Sequence, residues 1–297
     1  QKIVTLNPSG YLRLEKKSSQ EELVTGNECY QLQGARYGVY SDSKCSKQAA
    51  ELVTDESGKT DTKKLSCGTY YVKEIEAPSG YEKDTEIYKV TVLAGHTVSN
   101  PYVLKVSDIP SVYEGKIQIL KIDKEGESSE PLGGASLQGA QFTVRYYKGQ
   151  YTKDTLSQKA DRTWVFEIRE CKDKEGKTIW AAYMDEEFLI SGDEMYQQEG
   201  KVVFPLGTLA VQETKAPEGY LLNDTVYVKN ISGTGENVSV TEGNVYTIPQ
   251  QVKRGDFEFV KIGDGTHKRL QNVSFRITAK TTGESHIIIT DKNGYAS

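Results

Sequence analysis

Apolar side chains recur at every second position through much of this chain, in short rows that break off at glycine, proline, asparagine or serine. Leu12 and Leu14 alternate with Arg13 and Glu15, and Phe257 and Phe259 flank Glu258. Alternation of this kind puts one face of an extended segment inside and the other in solvent, so it predicts strands rather than helices. Three stretches open alike: Gly10-Tyr11-Leu12-Arg13-Leu14-Glu15-Lys16, Gly115-Lys116-Ile117-Gln118-Ile119-Leu120-Lys121 and Gly255-Asp256-Phe257-Glu258-Phe259-Val260-Lys261. A second strand follows each, over 32–39, 137–144 and 270–277. A third, Gly68 to Glu76 and Gly207 to Lys215, runs into the turns Ala77-Pro78-Ser79-Gly80-Tyr81 and Ala216-Pro217-Glu218-Gly219-Tyr220. Three openings in one order mean three repeats, and the expected fold is all-β, tandem sandwiches with the third incomplete.

The repeats set the expected boundaries. Residues 1–8 read as the tail of a preceding domain or a linker, 9–112 as the first domain, 113–252 as the second and 253–297 as the N-terminal part of a third. The first continues through a turn at Thr54 to Gly58, a strand around Ile87 to Leu93 and a closing strand at Tyr102 to Asp108. The second carries an insertion at about 148–200, with Trp164 and Trp180, for which an extra hairpin is predicted. The third stops before any counterpart of Glu74, so as written it cannot bury a core.

Composition narrows the picture without changing it. Abundant Tyr and Gly beside only two Met suit short strands joined by turns. A net charge of −5 with acids and bases interspersed leaves no basic face for nucleic acid or anionic lipid. No long apolar run crosses a membrane. Cys29, Cys45 and Cys67 fall in the first repeat and Cys171 in the second; a disulfide among the first three is open, its pairing undefined. With no C-x-x-C pair and with His96, His267 and His286 scattered, neither a metal nor a cofactor is expected.

The same period that predicts the strands places charge inside them. Lys16 shares a face with Leu12 and Leu14, Lys121 with Ile117 and Ile119, and Lys261 with Phe257 and Phe259. Glu74 shares one with Tyr70 and Val72, Glu213 with Leu209 and Val211, and Asp108 with Leu104 and Val106. Burial disfavours the charged forms of amine and carboxyl alike. A neutral Lys16 beside a protonated Asp108, with Glu74 to carry protons, can close an amide and expel water. The bland alternative is a buried ion pair that never reacts.

These residues resemble a known family, the Cna B-type, SpaA-like repeats of Gram-positive surface proteins and pilins. The most specific element is the glutamate followed by Ala-Pro-x-Gly-Tyr, met at Glu74 to Tyr81 and at Glu213 to Tyr220. The resemblance implies Greek-key prealbumin-like β-sandwiches in which the first-strand lysine bonds to Asn or Asp of the last strand, with the glutamate as catalyst. Lys16, Glu74 and Asp108 match. In the second repeat Lys121 and Glu213 match, but aligning Thr247-Ile248-Pro249 with Asp108-Ile109-Pro110 leaves threonine at the acceptor position; Asn244, on the row of Tyr246 and Ile248, is the candidate, with Asn230 behind it. Lys261 fits as a donor.

The resemblance also implies a non-enzymatic stalk segment of a surface adhesin or pilus-like protein, outside the cell at a Gram-positive wall. Its expected partners are the neighbouring domains of the same polypeptide. The alternative is a module whose insertion grips a host glycan or surface protein through Trp164 or Trp180, although core packing also explains those rings. An accessory domain of a secreted hydrolase is a third reading. Arg254-Gly255-Asp256 and four Asn-x-Ser/Thr sequons carry little, since the former runs straight into a strand and the latter need a glycosylating host.

Overall fold

The structure, a computed structural model, describes residues 8–132, 135–156, 159–280 and 284–297. The expected tail therefore lies, but for Pro8, outside the described residues.

The first sandwich is built from β1 (Ser9–Ser18), β2 (Arg36–Tyr40), β3 (Gln48–Val53), β4 (Lys63–Ser66), β5 (Gly68–Glu76), β6 (Ile87–Val92) and β7 (Tyr102–Asp108). One sheet has the order β4-β1-β7 and the facing one β3-β2-β5-β6. The alternating rows pack between them: Leu12, Leu14, Tyr37, Val39, Val72, Val90 and Val92 are at most 1% exposed. First and last strands run parallel as neighbours, with Lys16 level with Val106 and Ser18 level with Asp108.

A short β8 (Val112–Tyr113) leads into the second sandwich. Its strands are β9 (Gln118–Asp123), β10 (Gln141–Tyr147), β11 (Arg162–Glu167), β12 (Arg169–Lys172), β13 (Thr178–Tyr183), β14 (Leu189–Gly192), β15 (Gln197–Gln198), β16 (Lys201–Val202), β17 (Phe204–Pro205), β18 (Gly207–Lys215), β19 (Val226–Ser232), β20 (Ser239–Val240) and β21 (Val245–Gln250). The sheets are β12-β13-β9-β21 and β14-β11-β10-β18-β19-β20. The insertion does not simply add the predicted hairpin. β13 pairs with β9 as β4 pairs with β1, and the added strands are β12, joined to β13 in a hairpin, and β14, which extends the opposite sheet beyond β11. Again the first and last strands are parallel neighbours, Lys121 beside Ile248 and Asp123 beside Gln250.

Between the two sandwiches lies a joint that the strand pattern does not foretell. A one-turn helix, α1 (Glu21–Val24), and the turn after it leave the first sandwich and enter the core of the second, where Leu23 is fully buried. The Tyr30 hydroxyl donates to Ser111 O at 2.7 Å and accepts from Leu206 N at 2.8 Å. Asn27 Nδ2 reaches Leu206 O at 2.8 Å and the Tyr146 hydroxyl at 2.9 Å. Buried polar groups left unpaired cost about 1 to 3 kcal/mol each. Tyr30→Phe, which strands both Ser111 O and Leu206 N, should accordingly lower the stability of the chain by about 2 to 6 kcal/mol in denaturant titration. A change below a few tenths of a kcal/mol would mean the joint is not a packed interface in solution.

After Val252 the described chain forms two separate ribbons: β22 (Phe259–Val260) with β25 (Tyr295–Ala296), and β23 (Ser274–Thr278) with β24 (Ser285–Ile289). Phe257, Ile287 and Ile289 are more than half exposed. Core clusters among the described residues occupy only the two sandwiches.

Candidate functional site

The Ala-Pro-x-Gly turn that ends each glutamate strand needs left-handed backbone at its glycine, φ 85° at Gly80 and 84° at Gly219, a region that glycine enters without strain. The turn folds the following segment back over the glutamate. Glu74 Oε2 accepts the Asp84 N–H at 2.6 Å, and Glu213 Oε2 accepts the Asn223 N–H at 2.8 Å. A register shift falls at the same place in both repeats, between Arg36 and Tyr37 on β2 and between Gln141 and Phe142 on β10, so that Tyr37 lies level with Glu74 and Phe142 with Glu213. Bulges of this kind re-aim side chains beside functional groups.

In the first sandwich three sheet positions converge. Lys16 Nζ donates to Glu74 Oε1 at 2.7 Å and to the Tyr37 hydroxyl at 2.7 Å, and it touches Asp108 Oδ2. The Lys16, Glu74 and Asp108 side chains have no exposed surface. The amine lies against the Asp108 carboxyl outside hydrogen-bond geometry, and neither Asp108 oxygen has a hydrogen-bond donor among the described residues. Burial is the main cause that pushes the Asp108 carboxyl up to about 6, with Lys16 opposing it and Glu74 adding to it. The Tyr37 hydroxyl, raised far above its ordinary value by burial and by the charges of Asp108 and Glu74, stays protonated.

A raised carboxyl pKa has a definite sign. The folded state then keeps a proton that the unfolded chain releases, so the associated stability is present below the unfolded value near 4 and is lost as pH rises through about 6. Lys16→Met removes the one neighbour that lowers Asp108 and leaves the carboxyl free to titrate. Its thermal midpoint should therefore fall between about pH 4 and pH 7. A midpoint that rises over this window would show that Asp108 is not held protonated.

The second sandwich repeats the pair and changes the third member. Lys121 Nζ donates to Glu213 Oε1 at 2.8 Å, and both side chains have no exposed surface. Burial lowers the Lys121 amine against the opposing pull of Glu213. The residue that meets them is Gln250, which is fully buried, and not Asn244. Asn244 is exposed, with its side-chain amide on Lys116 O at 2.7 Å. Because β9 and β21 are parallel with Lys121 beside Ile248, the row of Tyr246 and Ile248 reaches the lysine at its far end, Gln250, and begins at Asn244. Pro249 lies within β21, one residue before the position that answers Asp108, whereas Pro110 lies two residues after Asp108, so matching the prolines puts the acceptor out of register. Asn230 also lies elsewhere, its side-chain Oδ1 accepting the Thr208 hydroxyl at 2.7 Å.

The remaining candidates stand apart from these two sites. Lys261 is half-buried just past β22 and forms no ion pair among the described residues. Trp164 is fully buried in the core, packed edge-on against Tyr196 and Phe204, and so offers no glycan a surface. Trp180 is partly buried against the same core, level with Lys121. Cys29, Cys45, Cys67 and Cys171 are all free thiols, so the open disulfide is not formed. Arg254 of the RGD tripeptide pairs with Glu125, its Nε at 3.2 Å. Among the described residues no cluster of acids, His and Cys could hold a metal, and no helix is long and apolar enough to cross a membrane. Sequence reasoning missed Tyr37 and Gln250. The inward face of the second strand and the last residue of the final row were the signals available for them.

Comparison with known proteins agrees with this fold. The family model of the SpaA prealbumin-like fold domain matches residues 8–102 and 115–245. No curated protein sequence matches. Among solved structures, the Bacillus anthracis TIE protein is similar at 22% identity and a TM-score of 0.53 over 97% of this chain and 43% of its own. This chain thus spans less than half of that relative's length. A C-terminal fragment of the pilus adhesin SpaC from Lactobacillus rhamnosus GG is 16% identical over 82% of this chain and 96% of its own, with a TM-score of 0.38. BcpA, the major pilin subunit of Bacillus cereus, is 16% identical over 97% and 83%, with a TM-score of 0.36.

Proposed function

Since this chain belongs to the family of SpaA prealbumin-like fold domains, we propose that it is a structural stalk segment of a Gram-positive surface adhesin or pilus, held by an amide that Lys16 and Asp108 form with each other. The observation that carries the reading is the Lys16 amine pressed against an Asp108 carboxyl that accepts no hydrogen bond among the described residues, with Glu74 at 2.7 Å from the same nitrogen. The Nζ lone pair attacks Asp108 Cγ, Glu74 takes a proton from Nζ and delivers one to the departing hydroxyl, and one water leaves. Glu74 ends as it began, but Lys16 and Asp108 are both used up in the amide, so the chemistry turns over once and the protein is no enzyme.

Fully buried lysine–carboxylate clusters need a reason, because apolar side chains of equal volume often stabilise as well or better. A covalent tie between first and last strands supplies one. It carries tension across the domain without loading the sheet hydrogen bonds, which suits an exposed stalk at the cell wall whose partners are further domains of the same assembly. Peptide mapping tests the reading: the peptide that holds Lys16 should be recovered joined to that holding Asp108, one water lighter than their sum. Recovery of the two as separate peptides overturns it.

A further inference from the structure

We infer that the second sandwich links itself differently, through an amide between Lys121 and Gln250 that expels ammonia, with Glu213 as the proton carrier. The inference rests on the self-linking reading of the first sandwich and extends it to a side chain of another type.

Three buried side chains close a ring here. Lys121 Nζ donates to Glu213 Oε1 at 2.8 Å and meets Gln250 Oε1, while Gln250 Nε2 donates to Glu213 Oε2 at 3.0 Å and to Leu221 O. The partners fix the orientation of the carboxamide. Carboxylate and carbonyl oxygens only accept, so the end facing Glu213 and Leu221 is nitrogen; the end facing the amine is oxygen. Gln250 consequently offers its carbonyl to the nucleophile and its leaving nitrogen to the acid, and one carboxylate touches both.

Position and surroundings argue that this is the counterpart of the first site. Gln250 lies level with Asp123, two residues beyond Lys121, as Asp108 lies level with Ser18, two beyond Lys16. Its side chain is one methylene longer. Opposite it, Phe142 stands where the first sandwich has Tyr37, with its ring centroid 5.2 Å from Lys121 Nζ. The hydroxyl that holds Lys16 is thereby missing, and among the described residues the polar partners of the Lys121 amine are the acid and the carboxamide. Burial also favours the neutral amine that attack requires.

The step balances without a co-reactant. The Nζ lone pair adds to Gln250 Cδ, Glu213 Oε1 takes a proton from Nζ, and the acid returns a proton to Nε2. The Cδ–Nε2 bond then breaks, ammonia departs, and Glu213 is again a carboxylate. Carboxamides are poor electrophiles in water, and enforced contact inside a dry core is the circumstance that compensates.

Peptide mapping of the whole 297-residue chain decides the matter. Mapping is needed because an amino-terminal Gln1 can also cyclise with loss of ammonia, which an intact mass does not distinguish. The expected result is a Lys121 peptide joined to a Gln250 peptide, one ammonia lighter than their sum. Separate Lys121 and Gln250 peptides alongside a joined Lys16–Asp108 pair would overturn this inference and leave the first reading standing. A joined Lys121–Gln250 pair alongside separate Lys16 and Asp108 peptides would do the reverse. Gln250→Glu, nearly identical in shape, should turn the loss at this pair from ammonia to water; continued loss of ammonia there would assign the leaving group to another residue. The mapping of the unsubstituted chain stands whether or not that variant folds.

Discussion

Glu74→Gln should return one water to the mass of the chain and lower the thermal midpoint of the first sandwich by some tens of degrees. The substitution keeps the shape of the side chain and removes its ability to take the Lys16 proton, so the amine and the Asp108 carboxyl remain a pair and never become an amide. Without the amide, the loop of roughly ninety residues from Lys16 to Asp108 is open in the unfolded chain, worth about 4 to 5 kcal/mol in the chain-entropy account of a cross-link. That is a large share of the roughly 5 to 15 kcal/mol by which whole domains are stable. For a domain of about a hundred residues each kcal/mol moves the midpoint by about 4 to 8 °C. Intact mass and thermal unfolding of the same preparation check both halves. If the variant still weighs one water less than its own sequence, Glu74 is not the proton carrier. If the mass rises and the midpoints agree, the amide forms but does not stabilise the fold.

Under tension the unsubstituted first sandwich should scarcely lengthen, whereas the Glu74→Gln chain should give way in a step of about 300 Å, the extended length of roughly ninety residues. The cause is topological. β1 enters and β7 leaves as parallel neighbours, so a pull on the ends shears the ladder between them. An amide between Lys16 and Asp108 passes the force from one strand directly to the other, and every residue between those positions stays off the line of force. Single-molecule stretching of the full chain resolves steps of this size. A 300 Å release in the unsubstituted chain, at forces typical of unlinked sandwiches, would remove the mechanical rationale for a stalk. The joint at Tyr30 and Asn27 bears on the same behaviour, since it packs the two sandwiches against each other where tandem domains often meet through a bare linker.

Alternation decided the fold and most of the first site. Side chains two apart share a face in any strand, so Leu12, Leu14 and Lys16 had to point together whatever surrounded them, as did Tyr70, Val72 and Glu74 and then Leu104, Val106 and Asp108. The structure buries all nine. What alternation does not specify is which end of one row lies beside which end of another. Asn244 and Gln250 stand on the same side of one alternating row, and only the parallel register of β9 and β21 brings the second of them to Lys121. The bulges that level Tyr37 with Glu74 and Phe142 with Glu213, and the one-turn helix that carries Leu23 into a neighbouring core, were equally illegible. Register, bulges and docking are settled by the packing of segments far apart in the chain, whereas the face a side chain occupies is settled by its immediate neighbours. The sequence alone thus determined the strands, the two sandwich repeats and their inward lysines and acids; tertiary packing chose the partners they meet.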